Sequence, residues 1–408
     1  SGQKINLSKS RFLCSSKLHS DVINLIQQVT GFQGQSWPVK YLGVPLSLGR
    51  SKSVLFDGVI ASVRAKLHHW SSRFLSAGGK LILLRHVLNS MPLYLLQVTK
   101  PPKGIFLRLG KLFNAFLWDG KDGRRIHWSS WEKLCFPVEE GGLGFRSLLD
   151  LEKAFAMKLW WRIRQKSSPW ARFMHRKYIG EQHPFLAAAA VGSATWKRVC
   201  SVRAITEDNI RWRLGEGFID LWHDRWLFDE PLSRQFAGVP PHFLVAEFYT
   251  STGWNTERLL QVLPRSVVNI ISQTLVDPTL KDELVWAPSA DGTFTVSSAW
   301  DLVRQRRNLS LVWRGIWCPL LPLKMSYLVW RVLADFLPLD DKLRSRGISM
   351  VSKCDCCGNA VESLNHIFLH GRLASAVWQH FFLACGIPWG SFSCVSSLLV
   401  VWFQSSGN

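Results

Sequence analysis

Apolar residues recur at helical spacing through the first half of the chain. Over residues 53–75 they fall three and four positions apart, and the same period continues over 80–90, 103–118 and 148–165. That period places the apolar side chains on one face of a helix. Glycine and proline interrupt the pattern between these segments, as they interrupt helices. The pattern therefore predicts a series of amphipathic helices between about residues 49 and 180.

Short extended segments lie on either side of these helices. Residues 11–14, 217–223, 284–287 and 294–296 are brief apolar runs next to turn-forming residues, a composition typical of short strands. The run 38–46 begins and ends near prolines, which confine it to an edge strand or an extended connector. We therefore predict a mainly α fold with short β segments.

Two cysteines and two histidines near the C-terminus have the spacing of a zinc site. Cys354 and Cys357 are separated by two residues, eight residues follow, and His366 and His370 are separated by three. Two thiolates and two imidazoles make a complete tetrahedral set for a structural Zn²⁺, with no position left for water. The alternative is a group of buried cysteines beside two surface histidines.

The residues between these ligands support the zinc interpretation. Gly358 permits a tight turn directly after the second thiolate. Residues from 362 onward have a helical pattern, and positions i and i+4 of a helix share a face, so we expect His366 and His370 to project together. Cys356 could replace either neighbouring cysteine as a ligand.

The chain is strongly basic. It carries a formal net charge of +21 and a pI near 9.9, which favours a polyanionic partner. Residues 50–177 hold 24 Lys or Arg against 8 Asp or Glu, so the helical segment is the main source of this charge. We expect it to bind the backbone of RNA or DNA, although any single cation more often only solvates a helix. The candidate contact residues are Lys80, Arg85, Arg124, Arg125, Lys158 and Arg162.

Other compositional features bear on compartment and partners. Nine cysteines, odd in number and mostly scattered, argue against a secreted disulfide framework and favour a reducing, intracellular compartment. The longest apolar runs, such as 398–403, are too short to span a bilayer, so no membrane partner is expected. Twenty-one tryptophans are expected mainly in cores and interfaces, and some could stack on bases.

Recognisable catalytic motifs are missing from the sequence. It has no glycine-rich phosphate loop, no Gly-x-Ser-x-Gly elbow and no His-Glu-x-x-His. Asp340 and Asp341 follow Pro338, so a turn that caps the next helix explains them better than a metal-binding hairpin. His223 and Asp224 are neighbours on a predicted strand and would face opposite ways. We therefore expect no enzymatic activity from the chain as it stands.

Several longer motifs together resemble one family. They are residues 1–10 (SGQKINLSKS), 40–46 (KYLGVPL), 70–80 (with LSAGGK), 140–145 (EGGLGF), 221–226 (LWHDRW) and 294–378. They are similar to the C-terminal part of the polyproteins of plant LINE-type non-LTR retrotransposons, which are often labelled reverse transcriptase or ribonuclease H proteins. Residues 294–378 resemble the zinc-binding domain of these reverse transcriptases.

The resemblance implies a domain order. Residues 1–48 would be the end of a polymerase palm, 49–180 a basic, thumb-like helical region, 181–292 a mixed connector, 293–385 the zinc-binding domain and 386–408 a tail. In the family the catalytic aspartates precede the segment that residues 1–10 resemble. We therefore expect this chain to be a fragment without them, and also without a ribonuclease H domain.

The resemblance also bears on the metal ligands. The family pattern of Glu, His, Phe and Cys matches Glu362, His366 and Phe368, but its final cysteine falls on Gly371. His370 would then have to supply the fourth ligand.

The sequence thus predicts a non-catalytic fragment of a retrotransposon reverse transcriptase. Its basic helical region would bind nucleic acid, and a structural zinc would stabilise its C-terminal domain. Two alternatives stay open: a zinc-stabilised module whose Trp-rich domain binds protein, and a decayed copy of the element with no selected activity.

Overall fold

The chain folds into two compact units. The computed structural model describes residues 4–7, 10–15, 17–47, 52–69, 75–118, 126–236, 238, 242–250 and 253–405. Unit 1 comprises residues 1–55, 94–102 and 149–304, and unit 2 comprises residues 56–93, 103–148 and 305–408. The five segments expected from the sequence stay a prediction.

Helices dominate both units. Among the described residues, the α-helices are α1 (Ser20–Thr30), α2 (Asp57–His69), α3 (Ala77–Leu83), α4 (Leu93–Val98), α5 (Lys103–Trp118), α6 (Trp131–Leu134), α7 (Leu148–Gln165), α8 (Pro169–Tyr178), α9 (Ala194–Cys200), α10 (Arg203–Glu207), α11 (Thr256–Leu260), α12 (Arg265–Ser272), α13 (Val296–Val303), α14 (Leu311–Ile316), α15 (Leu323–Leu333), α16 (Asp340–Ser345), α17 (Arg372–Ala384) and α18 (Val395–Ser405). Two further segments, Leu84–Leu88 and His366–His370, are π turns.

The described strands are short and all lie in unit 1. They are β1 (Arg11–Leu13), β2 (Gln33–Gln35), β3 (Val39–Tyr41), β4 (Val44–Leu46), β5 (Ile210–Arg213), β6 (Tyr249–Thr250), β7 (Gly253–Trp254) and β8 (Glu283–Trp286). β1 and β2 pair in parallel, whereas β3–β4, β5–β8 and β6–β7 are antiparallel pairs. The predicted mainly α fold with short β segments is confirmed.

The predicted strand over residues 217–223 is replaced by a turn. The structure has a single bridge between Asp220 and Leu244. One carboxylate oxygen of Asp220 accepts hydrogen bonds from the backbone N–H groups of Trp222 and His223, at 2.9 and 2.7 Å. An Asp side chain that binds the backbone two residues ahead forms a turn in place of a strand ladder.

Tryptophans fill the core of unit 1 around α7. Trp160 is fully buried and its ring centroid lies 6.1 Å from that of Trp196. Trp161, on the next position of α7, contacts Trp286 of β8 edge to face and stacks against Phe294. The expectation that most tryptophans serve as core anchors is supported here, because these side chains are closed off from solvent.

Unit 2 has an aromatic core of its own. Trp330 of α15 is buried between Trp118 of α5 and Phe336, with centroid distances of 6.4 and 5.4 Å. Its indole N–H donates to the carbonyl of Gly141 at 2.9 Å. A tryptophan that fills a core and also pairs its one polar atom needs no ligand to explain it.

One helical stretch is longer and more apolar than the apolar runs of the sequence suggested. Residues Ala77–Val98 are long and apolar enough to cross a bilayer by length and composition, and 39% of the most apolar window is buried inside the structure. Core helices of soluble proteins pass the same test. The stretch also contains Arg85 and Pro92.

Candidate metal centre and basic surface

A short loop in unit 2 brings two of the predicted zinc ligands together. The N–H of Gly358 donates to the carbonyl of Cys354 at 2.8 Å, and the N–H of Cys354 donates to Ala360 at 2.8 Å. Gly358 has φ +68°, a left-handed conformation that favours glycine. The loop therefore turns back directly after Cys357, as the sequence predicts.

The histidines lie on a π turn instead of the predicted α-helix. The turn spans His366–His370 and is closed by a 2.7 Å hydrogen bond from the N–H of Gly371 to the carbonyl of His366. Helix α17 follows at once, and the indole of Trp378 in α17 donates to the carbonyl of Phe368 at 2.8 Å. These contacts hold the turn against α17, but α-helical spacing no longer describes where the imidazoles point.

Three side chains converge on a common point. The ligand atoms of Cys354, Cys357 and His366 all lie within 4.8 Å of one another. The Sγ of Cys357 is 3.3 Å from the Nε2 of His366. A tetrahedral zinc with ordinary bond lengths requires sulfur–sulfur separations of about 3.8 Å and sulfur–nitrogen separations of about 3.6 Å. The donor set and its spacing therefore fit zinc.

The surroundings of Cys357 favour its thiolate form. The backbone N–H of Asn359 and the imidazole of His366 lower the pKa of Cys357 to about 7. Zinc binds the thiolate and not the thiol, so a lowered pKa favours metal capture near neutral pH. The neighbouring Cys354 raises the pKa of Cys356, which makes Cys356 a weaker thiolate donor than Cys357.

The fourth predicted ligand, His370, is not part of this cluster. Its side chain is exposed at the end of the π turn, and its nitrogens are not among the atoms that converge. His370 and Cys356 instead line a neighbouring cavity of about 900 Å³, together with the three clustered residues. The prediction of a ligand role for His370 therefore stays a prediction, with no direct support from the geometry.

Two of the predicted nucleic-acid contacts are engaged inside unit 2. Lys80 is only 6% exposed, and its ammonium lies 5.7 Å from the ring centroid of Phe116. The guanidinium of Arg85 donates to the carbonyl of Leu143 at 2.7 Å, and burial lowers the pKa of Arg85. A buried cation cannot reach a phosphate, so we remove Lys80 from the candidate interface and assign Arg85 a structural contact.

The other four predicted contacts divide into two groups. Arg124 and Arg125 lie outside the described residues. Lys158 is half-buried and Arg162 is exposed, and both belong to α7 of unit 1. Since they are four residues apart, they occupy the same face of that helix. Neither makes an ion pair with a carboxylate in the described part of the chain.

Helix α8 carries an exposed basic and aromatic surface that the sequence prediction did not single out. Phe173 is 56% exposed, and the ammonium of Lys177 lies 5.4 Å from its ring centroid. Arg172 and Arg176 are exposed on the same helix. The spacing of Phe173 and Lys177, i and i+4 in a helical segment, could have revealed this surface.

A buried polar network in unit 1 was also missed. The carboxylate of Asp224 forms an ion pair with Arg164, accepts from the indole of Trp212 at 2.9 Å and lies 3.1 Å from the Nε2 of His183. Burial alone would raise the pKa of Asp224, but Arg164 and His183 outweigh it and hold the pKa below its usual range. Asp224 therefore stays ionised inside the core of unit 1.

Asp220 forms the second half of this network. Its two carboxylate oxygens lie 3.0 Å from the Nδ1 of His223 and 2.6 Å from the Nδ1 of His242. The expectation that His223 and Asp224 do not act as a pair agrees with these contacts, because each binds a different partner. Arg164 is 60 residues from Asp224 and His242 is 22 residues from Asp220, so no local pattern could have indicated these two contacts.

Stability of α8 should fall as the pH is lowered. Burial, Lys166 and Arg164 lower the pKa of His175 from 6.5 to about 4. A group whose folded pKa is depressed contributes stability that is present above pH 6.5 and is lost as the pH falls toward 4. We expect the amide-exchange protection factors of α8, measured against the intrinsic exchange rate at each pH, to fall over this window, and His175→Gln to remove most of the effect. An equal response in the wild type and the variant would contradict this, and His68→Gln, at an exposed site, is the control.

Comparison with known proteins agrees with this geometry. Residues 294–378 match the family described as zinc-binding in reverse transcriptase. A protein of Arabidopsis thaliana named "Putative ribonuclease H protein" is 26% identical over 353 residues, which are 82% of this chain and 57% of that protein. An uncharacterized mitochondrial protein of Arabidopsis thaliana is 28% identical over 148 residues, which are 35% of this chain and 95% of that protein.

These matches differ in how much of the chain they cover. The chain spans little more than half the length of the longer relative. The family match covers the three converging ligands and the turn that holds them. The predicted resemblance to plant retrotransposon proteins is confirmed, and residues 294–378 are similar to the zinc-binding domain of reverse transcriptases.

Proposed function

We propose that this chain is a non-catalytic, nucleic-acid-binding part of a retrotransposon reverse transcriptase. In this proposal, cations on α7 and α8 contact phosphates, and a zinc ion organises the C-terminal part of unit 2. The observation that carries the proposal is the pair Lys158 and Arg162, which share a helix face and have no described carboxylate partner.

Unpaired cations on one face suit a phosphate backbone. A lysine that already pairs with a carboxylate, as Lys153 does with Asp150 at 3.1 Å, must lose that contact before it binds a phosphate. Lys158 and Arg162 do not face this cost, and their side chains start about 5–6 Å apart on the helix surface. The formal net charge of +21 adds a general attraction for polyanions.

Helix α8 offers a second type of contact. An exposed aromatic ring can stack on a base of a single strand, with a gain of about 1–3 kcal/mol per base. Phe173 is such a ring, and Lys177 lies close enough to bind the adjacent phosphate. Single-stranded RNA or DNA is therefore the ligand that this surface fits best.

The metal would have a supporting role. Cys354, Cys357 and His366 would hold zinc, which would supply a crosslink between the cysteine loop and the π turn. The loop contains few buried apolar side chains of its own: Cys354 and Leu369 are the buried residues among 352–370. A crosslink is a substitute for the hydrophobic core that such a short segment cannot form.

Lys158→Ala/Arg162→Ala should weaken binding and reduce its salt dependence. Each lost phosphate contact with a single strand reduces the steepness of log K against log salt by about 0.7. The measurement is a salt-titrated binding assay with a single-stranded oligonucleotide of mixed sequence, performed on the full chain.

The matched control is Lys17→Ala/Lys40→Ala, which removes the same charge from exposed positions of unit 1 outside α7 and α8. Equal slopes of log K against log salt for the two double variants would show that the effect comes only from net charge. No binding by the wild type at low salt would refute the nucleic-acid proposal.

A protein-binding role is the second candidate. Leu373, Val377 and Phe381 are exposed and lie at i, i+4 and i+8 on α17, with exposed fractions of 66%, 45% and 51%. An apolar stripe of this kind is typical of a helix that docks onto a partner. Weak nucleic-acid affinity at low salt, together with self-association or partner binding that Leu373→Ser abolishes, would favour this role.

A further inference from the structure

We propose that the zinc site has three protein ligands and an open fourth position that accepts a small thiolate from solution. The inference rests on the proposed zinc site and concerns only how its coordination is completed. It differs from the closed four-ligand set that the sequence predicts.

Three of the described donors converge, and Cys356 lies beside them without joining the group. The thiol of Cys356 hydrogen-bonds to that of Cys354, but it does not lie within 4.8 Å of all three ligand atoms. The ligand atoms of Cys354, Cys357 and His366 lie within 4.8 Å of one another, and no other described Cys, His, Asp or Glu joins them. A tetrahedral zinc bound to three protein atoms keeps one position for an exchangeable ligand.

Gly371 lies beside the clustered ligands but supplies no donor to the metal. A Cβ built on Gly371 would lie 3.6 Å from the Nε2 of His366, so a side chain at this position would start beside the metal ligands. Glycine has none. The same Cβ would come within 2.5 Å of the carbonyl oxygen of His366, so the closed π turn itself excludes a side chain here.

The neighbouring cavity gives the open position access to solution. It has a volume of about 900 Å³ and is lined by the clustered ligands on one side and by Leu373, Val377 and Trp378 on another. A volume of this size admits a ligand larger than water. Its apolar wall suits the carbon chain of a small organic thiol.

The cavity lining can accommodate the negative charge of a sulfur ligand. Zn²⁺, two thiolates and a neutral imidazole sum to zero, so a third thiolate would bring the centre to −1. Arg372 is among the residues that line the cavity, so a positive side chain is available to compensate this charge. Zinc is borderline-soft and binds thiolate sulfur well. A thiol bound beside Cys354, Cys357 and His366 would lose its proton to solvent and take the place of a solvent ligand, with no change of oxidation state.

Cobalt substitution tests the inference on the full chain. Co²⁺ takes the place of zinc, and each coordinated thiolate contributes sulfur-to-metal charge-transfer absorption. With 2-mercaptoethanol as the probe, we expect a saturable increase of roughly half, from two thiolates to three. Elemental analysis after desalting verifies that the metal remains bound.

Two variants test whether His370 or Cys356 supplies the fourth metal ligand. We expect His370→Ala and Cys356→Ser to retain one metal per chain and the full response to 2-mercaptoethanol. A metal affinity reduced tenfold or more in either variant, or a cobalt spectrum that 2-mercaptoethanol does not change, would overturn the inference. The proposed zinc site itself fails only if the purified wild type contains no zinc, so the two failures are distinguishable.

Discussion

Cys354→Ser should remove the metal and release the loop that holds it. Cys354 is 1% exposed and is one of the three converging donors, so a hydroxyl at this position removes one of the two converging thiolates. Structural zinc contributes about 10–16 kcal/mol of apparent binding free energy. We expect the zinc content to fall from one per chain to near zero, and amide exchange over residues 352–371 to accelerate at least tenfold.

Cys385→Ser is the matched control for this experiment. Cys385 is exposed at the end of α17 and lies outside the cluster. The control should retain its zinc and its exchange pattern, because the same chemical change removes no ligand. A Cys354→Ser chain that exchanges like the wild type, with zinc present in the wild type, would show that the metal does not support this part of unit 2.

Asp224→Asn should strongly destabilise unit 1. Asp224 and Arg164 are both buried, with side-chain exposures of 4% and 5%. Removal of the carboxylate charge leaves the guanidinium of Arg164 with Glu207 as its nearest carboxylate, at 3.1 Å. Breaking a buried pair by removing one partner costs about 3–5 kcal/mol, so we expect a loss of that size in the free energy of unfolding by urea.

Asp229→Asn provides the comparison at the surface. Asp229 pairs with Arg211, but their side chains are 80% and 46% exposed. Exposed ion pairs contribute about 0–1 kcal/mol, so this variant should unfold close to the wild-type urea concentration. Similar losses in the two variants would contradict the assignment of a structural role to the buried network.

Local periodicity explains the helices that were predicted correctly. The bounds of α5 and α7 agree with the sequence prediction at Lys103–Trp118 and Leu148–Gln165. In both helices the apolar stripe and its interruptions lie within one continuous segment, so the sequence contains all the information that sets their ends. The short strands were harder to place, because pairing such as that of β5 with β8 joins residues 70 to 76 positions apart.

The candidate sites also contain some features that local sequence reveals and others that only packing decides. Cys354 and Cys357 are recognisable because four residues contain both ligands and Gly358 closes their turn. Lys80 was a reasonable contact by charge alone, but burial beside Phe116 removes it from the surface. Charge is a property of the residue, whereas exposure is a property of the packed unit.

The sequence by itself determined the helical character, the basic charge and the class of metal ligand, since each depends on residue type or on spacing within a few positions. Only the tertiary structure decided which donors converge and which charges are buried. His366 joins the cysteines while His370 does not, and Asp224 meets Arg164 across 60 residues of sequence. Both outcomes depend on how separated segments pack, and side-chain directions set by packing leave no trace in local spacing.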